Sequence, residues 1–112
     1  MPAERRVALG DPSRKMYGVR LTEEGGRWRA RGATPLGRVA EAEGATPEEA
    51  LAGFLEEDAE DAERLAKRYE RAAEREGDGD WREMARYFRG LARRRRELAR
   101  AVREGRVAVI PI

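Results

Sequence analysis

Between residues 15 and 42 apolar and polar positions alternate. Tyr17, Val19 and Leu21 are interleaved with Gly18, Arg20 and Thr22, a period of two that gives a strand one apolar and one wet face. Glu23-Glu24-Gly25-Gly26 reads as a turn, because paired glycines supply the positive φ of a tight hairpin. Trp28 and Ala30 then alternate with Arg27, Arg29 and Arg31, repeating the one-faced pattern. Pro35 and the flanking Gly32 and Gly37 make 32–37 a loop, since proline cannot donate to a ladder. Arg38 to Ala42, centred on Val39, reads as a third strand.

From residue 46 the period changes to 3.6. Thr46-Pro47-Glu48-Glu49 is a capping box with proline at the first helical position. Ala50, Leu51, Phe54, Leu55, Ala62, Leu65, Ala66, Tyr69, Ala72 and Ala73 follow as one stripe, and Gly77-Asp78-Gly79 ends it. Asp80-Trp81-Arg82-Glu83 reads as a second cap, opening a helix over 81–104. Its stripe is Trp81, Met84, Ala85, Phe88, Leu91, Ala92, Leu98 and Val102. Gly105 is a natural terminator. Arg106-Val107-Ala108-Val109-Ile110-Pro111-Ile112 reads as a short strand with β-branched residues at alternate positions. At 1.5 Å per residue the helices are ~45 and ~36 Å long, and a four-residue turn makes them an antiparallel hairpin.

The expected fold is therefore α+β: a three- or four-stranded antiparallel sheet packed on a helix, with a long antiparallel helical hairpin and a short C-terminal strand. Residues 1–14 are expected to form a flexible N-terminal arm, with an edge strand around Val7-Ala8-Leu9 as the alternative. Residues 15–112 make a single domain, divided into sheet (15–46), helix (47–76), basic helix (81–104) and strand (106–112).

Composition narrows the chemistry. The 112 residues contain no Cys and no His, which removes disulfides, thiol nucleophiles, Cys/His metal sites and imidazole acid–base catalysis. Asn and Gln are also absent, Ser occurs once (Ser13) and Lys twice (Lys15, Lys67). This usage beside abundant Arg and Glu fits a thermophile protein or a GC-rich genome equally. The carboxylate pairs Glu23/Glu24, Glu48/Glu49 and Glu56/Glu57/Asp58 are sequence neighbours, and on a helix such neighbours point apart. The expectation is a protein that is not an enzyme and uses no cofactor or metal. No stretch approaches the ~20 apolar residues of a membrane span, and Met1-Pro2-Ala3-Glu4-Arg5-Arg6 lacks the apolar core of a signal peptide. A cytoplasmic location without membrane contact follows.

The formal charge of +2 hides a segregation. Residues 48–76 carry 11 acidic and 5 basic side chains, net −6, whereas 81–104 carry 9 Arg against 3 Glu, net +6. The first expectation is that the opposed helices attract along their flanks, which selects pairing more than it supplies stability. Arg82, Arg86, Arg89, Arg93, Arg96, Arg100 and Arg103 recur at spacings of 4 and 3, a stripe roughly 130° from the centre of the apolar one. One flank of an acidic helix is too narrow to neutralise all seven. Arg86, Arg89, Arg93, Arg96, Arg100 and Arg103 are thus candidates for binding nucleic acid or an acidic partner. Asp58 and Arg95 interrupt the two apolar stripes, and antiparallel packing brings them within reach. They are expected to pair in the hairpin seam, serving register more than stability, with an oligomer interface as the alternative place. The stripe exceeds what a small sheet covers, so Phe54, Leu55, Tyr69, Phe88 and Leu91 are expected to bury against a second chain, a homodimer through the helices being favoured. Trp28 and Trp81 are expected in the core.

Residues 17–51 run Tyr-x-Val-x-Leu, Glu-Glu-Gly-Gly-x-Trp-x-Ala, a Pro-Leu-Gly loop and then Gly44-Ala45-Thr46-Pro47-Glu48-Glu49-Ala50-Leu51. This order resembles the HicB-like antitoxin family over about a third of the chain, most specifically at Trp28-Arg29-Ala30 and the capping box. The resemblance implies a small sheet on one helix without catalytic acids. It also implies oligomerisation and occlusion of a small toxin ribonuclease, with contact through the sheet edge or the 32–37 loop. The chain departs from the family pattern at Ala33, where a proline is usual, in its long hairpin, and in the lack of a helix-turn-helix or ribbon-helix-helix after it. Two other functions stand beside this one: nucleic-acid binding through the arginine stripe, and a structural protein that keeps only the fold.

Overall fold

The computed structural model describes residues 3–8, 18–77 and 79–106. Four strands, β1 (Ala3–Ala8), β2 (Gly18–Glu24), β3 (Arg27–Ala33) and β4 (Val39–Gly44), precede two helices, α1 (Pro47–Glu76) and α2 (Gly79–Arg103). The strands form one antiparallel sheet in the order β1-β2-β3-β4, and the helical hairpin packs against it through α1. The body is long and narrow, 53 × 24 × 23 Å.

Each local structure has an identifiable cause. Glu24 pairs with Arg27, so Gly25 and Gly26 alone turn the chain. Their φ values of 60° and 81° are those of a type I′ turn, whose twist matches the flanking strands. In β2 and β3, Val19, Leu21, Trp28 and Ala30 are buried while the residues between them are largely exposed. In β4 the inward residue is Ala40; Val39, expected at the strand's centre, is 55% exposed. Gly44 is required by close approach. A Cβ there would lie 2.5 Å from that of Glu49 and 2.8 Å from the Ala50 nitrogen.

The helix ends follow the capping rules. Thr46 accepts the Glu49 amide at 3.1 Å, and the Glu49 carboxylate accepts from the Ala45 amide at 2.9 Å, one residue before the N-cap itself. Gly77, in the left-handed region at φ 67°, ends α1 by donating to the Ala73 carbonyl. Arg106 donates to Ala101 across Gly105 at 2.9 Å, a Schellman closure of α2. α2 begins at Gly79, so Asp80 lies inside the first turn and not at the cap. Its charge there complements the helix dipole.

Two expectations fall partly or wholly on other residues. Ala3–Ala8, expected within an arm, pairs with β2 over six residues, Val7 opposite Val19. Charge such as that of Glu4-Arg5-Arg6 is a usual feature of an edge strand, and the edge strand allowed around Val7-Ala8-Leu9 overlaps β1 at Val7 and Ala8. The rest of that arm (1–2 and 9–14), the start of the expected sheet at 15–17 with Tyr17, and the strand expected over 106–112 beyond Arg106 lie outside the described residues.

The core is thin and has two parts. α1 crosses β2, β3 and β4, burying Phe54, Leu55 and Leu51 against Val19, Leu21, Trp28 and Ala30, with Ala99 and Val102 of α2 closing the cluster. Further along the hairpin, Ala59, Ala62, Leu91 and Ala92 form a smaller seam with Phe88 against it. Phe54 and Leu55 are 0% exposed and Leu91 is 7% exposed. The expectation that these three wait for a second chain is corrected: the sheet and the facing helix already cover them.

Candidate functional site

The chemistry-bearing side chains gather on the hairpin and at its junction with the sheet. Along one flank, Arg103 donates to Glu56, Arg96 to Glu63 and Arg89 to Glu70. Both sets recur every seventh residue, a step of roughly 10.5 Å that keeps each pair in register along antiparallel helices. The hydrogen bond from its arginine, above all, holds each of these three glutamates below its ordinary pKa. The same bonds raise the three arginines. This ladder absorbs three of the seven arginines in the stripe. Arg82, Arg86, Arg93 and Arg100 are exposed and have no ion-pair or hydrogen-bond partner among the described residues.

Asp58 and Arg95 meet in the seam. Arg95 Nε donates to Asp58 Oδ2 at 3.0 Å, with side-chain exposures of 6% for Arg95 and 4% for Asp58. Burial pushes the Asp58 carboxyl above its ordinary pKa, and the adjacent guanidinium only partly opposes this. Asp58 Oδ1 has no hydrogen-bond partner among the described residues, and a buried pair with such an unsatisfied oxygen is weak evidence of net stabilisation.

A second buried carboxylate lies one turn on. Asp61 is 0% exposed. It accepts from Arg38 Nε at 2.6 Å and from Arg64 at 2.8 Å, while Glu57 lies 3.6 Å from the same Arg38 guanidinium. Burial alone would raise the Asp61 carboxyl. The nearby Thr34 hydroxyl, outside ordinary hydrogen-bond geometry, and the two guanidinium groups outweigh it, so its pKa is lowered. Arg38 follows the loop after β3, where Thr34 donates its amide to the Arg38 carbonyl and accepts from Gly37, both at 2.9 Å. Asp61 therefore latches the 34–37 loop to α1. Sequence reading did not single out Thr34, Arg38 or Asp61. The available signal was spacing: Asp61 stands seven residues after Phe54 and three after Asp58, on the helical face that meets the sheet.

The remaining aromatic candidates lie at the far end of the hairpin. Tyr69 stacks on Trp81 at 5.4 Å and on Phe88 at 5.6 Å, while Tyr87 meets Phe88 edge-on at 5.1 Å. Trp81 is half-buried and donates to Glu76 at 2.6 Å. It is not in the core, because no third layer reaches that end of the hairpin. Met84 and Tyr87 are 39% and 53% exposed.

The concavities are open and polar; one runs beside the ladder and is lined by Glu56, Glu60, Arg96, Arg100, Arg103 and Glu104. Among the described residues no group of three or more Asp or Glu is placed to hold a metal ion, and no helix is long and apolar enough to cross a membrane. The chain matches no protein-family model, no curated protein and no solved structure.

Proposed function

We propose that the chain is a non-enzymatic HicB-like contact module, cytoplasmic and of antitoxin type, which acts by covering a small toxin ribonuclease. The observation that carries this reading is the latched loop at the sheet edge. Pro35 and Leu36 sit on a turn closed by two backbone hydrogen bonds and pinned through Arg38 to the buried Asp61. Val39, 55% exposed, opens the adjacent β4, which is an edge of the four-stranded sheet. A loop pinned in this way beside a strand edge that is unshared among the described residues offers backbone hydrogen bonds and apolar contacts with little ordering cost, as in recognition by strand addition. The run from Tyr17 to Leu51 that resembles the family contains this whole loop and its flanking strands.

The homodimer belongs to the same reading. With Phe54, Leu55 and Leu91 covered within the chain, we assign a second copy to Tyr69, Met84, Tyr87 and Phe88 at the far end of the hairpin.

Co-expression with the product of a small basic open reading frame found beside its gene tests the proposal. The chain is expected to co-purify with that protein and to suppress its RNA cleavage, and Leu36→Asp with Val39→Asp is expected to abolish both while leaving circular dichroism unchanged. Suppression that survives both substitutions, or the lack of any complex, overturns the reading.

A further inference from the structure

The ladder accounts for only part of the arginine stripe of α2. Arg89, Arg96 and Arg103 are matched by glutamates of α1. Arg82, Arg86 and Arg93 are exposed and unmatched among the described residues. They lie within roughly 40° of one another around α2 and span roughly 16 Å of its axis. Arg100 continues the row, but Glu60 and Glu104 share its cleft, so its field is partly offset. Lys67 flanks the ladder on α1, close enough to act on both Glu63 and Glu70.

We propose that Arg82, Arg86 and Arg93 form a docking row for the phosphate backbone of duplex DNA, without sequence preference. Three observations select this occupant. At 100° per residue the row's own side of α2 carries arginines and Glu97 and no aromatic or branched aliphatic residue, whereas a protein interface needs an apolar centre depleted of charge. No exposed aromatic interleaves with it, since Tyr87 lies on another face; a single strand would require such a stacking platform. Its length matches about five phosphates of one strand at 3.4 Å each, and an α-helix fits the B-form major groove but not the deep, narrow one of A-form RNA. The chain has no Asn or Gln to read adenine, which leaves backbone contact as the main source of affinity.

The test is fluorescence anisotropy of a labelled 20-base-pair duplex titrated with the full chain at several salt concentrations. Three phosphate contacts predict a log–log salt slope of about −2.7, an affinity loss of about 40-fold between 50 and 200 mM salt. Arg82→Glu, Arg86→Glu and Arg93→Glu together are expected to abolish binding, and the corresponding Arg→Gln triple to flatten the slope towards zero. Arg68→Glu, Arg71→Glu and Arg75→Glu make the same change of charge on the outer face of α1 and are expected to retain binding. Circular dichroism verifies the fold of each variant. No binding by the wild-type chain at 50 mM salt overturns the proposal. Equal weakening by the two Glu triples, or a preference for single-stranded DNA or duplex RNA, overturns it as well.

Discussion

The two ends of the hairpin are built from the same pair of helices but held by different forces. Near the sheet, α1 is sandwiched: Phe54, Leu55 and Leu51 meet strand residues on one side and Val102 and Ala99 on the other. Beyond residue 59 the helices meet through alanines, Leu91 and a half-buried aromatic stack, and the sheet reaches α1 there through Arg38 on Asp61. The first end is a three-layer core in which every large side chain has neighbours all round. The second is a two-layer seam in which alanine brings the backbones close and charge on the flank sets the alignment. Stability is thus expected to be concentrated near the sheet, leaving the far end to open locally.

The largest expected effect breaks this contrast if it fails. Phe54→Ala removes a fully buried ring and is expected to cost ~3–5 kcal/mol in urea denaturation. Phe88→Ala, at a half-buried ring of the same type, is expected to cost less than half of that and to raise hydrogen exchange only around residues 65–92. Equal losses, or exchange spreading into β2 and β3 for Phe88→Ala, would mean that the hairpin is one cooperative core.

The next test sharpens the comparison at the boundary, where Asp58 faces the seam and Asp61 faces the sheet loop. Asp58→Ala removes the carboxylate that pairs with the buried Arg95 and is expected to cost ~3–5 kcal/mol, whereas Asp58→Leu with Arg95→Met is expected to restore stability close to wild type. The two aspartates also titrate in opposite senses. The raised Asp58 carboxyl contributes stability that is present below its unfolded value of 3.8 and is lost as pH rises through the folded value. The lowered Asp61 carboxyl contributes stability present above 3.8 and lost as pH falls through its folded value. Asp61→Asn is therefore expected to flatten the acid-side loss of stability, and Asp58→Asn to steepen it. Parallel curves for the two variants would remove the distinction between the sites.

What the sequence discloses depends on how local the cause is. The β2–β3 turn and both ends of α1 are written in contiguous residues: Gly25-Gly26, Thr46 to Glu49, and Gly77. Asp58 and Arg95 are legible because a charge inside an apolar stripe demands a partner, and antiparallel packing leaves few candidates. The latch of Thr34, Arg38 and Asp61 is not legible in the same way, since it joins a loop to a helix face across 23 residues and depends on how α1 lies on the sheet. β1 is legible only at its end, as the edge strand allowed around Val7-Ala8-Leu9, because a charged edge strand has the composition of a solvated arm. The split of the arginine stripe is hidden for a related reason. The seven arginines form one row on a helical wheel, and only the rotation of α1 against α2 decides which of them meet glutamate.

The smallest effect concerns that rotation. Arg96 and Glu63 are 43% and 36% exposed, so solvent screens the attraction, and Arg96→Ala is expected to cost only ~0.2–1 kcal/mol. The loss should fade in 1 M salt, where the screening length is ~3 Å. The cost at Phe54 should instead persist, because burial of an aromatic ring is insensitive to ionic screening. The ladder's contribution lies in alignment. Rotating or sliding α2 by one residue would carry Arg89, Arg96 and Arg103 away from Glu70, Glu63 and Glu56 together, so three weak pairs spaced by a common heptad discriminate between registers more sharply than any one stabilises the native one. Reversing Glu56, Glu63 and Glu70 to Arg would replace three attractions by three repulsions along the whole flank. Such a variant is expected to lose the hairpin beyond residue 59 while retaining the sheet and the first turns of α1. Hydrogen exchange localised to 62–96 at low salt, and recovered at high salt, is the signature that separates a register device from a general contribution to stability.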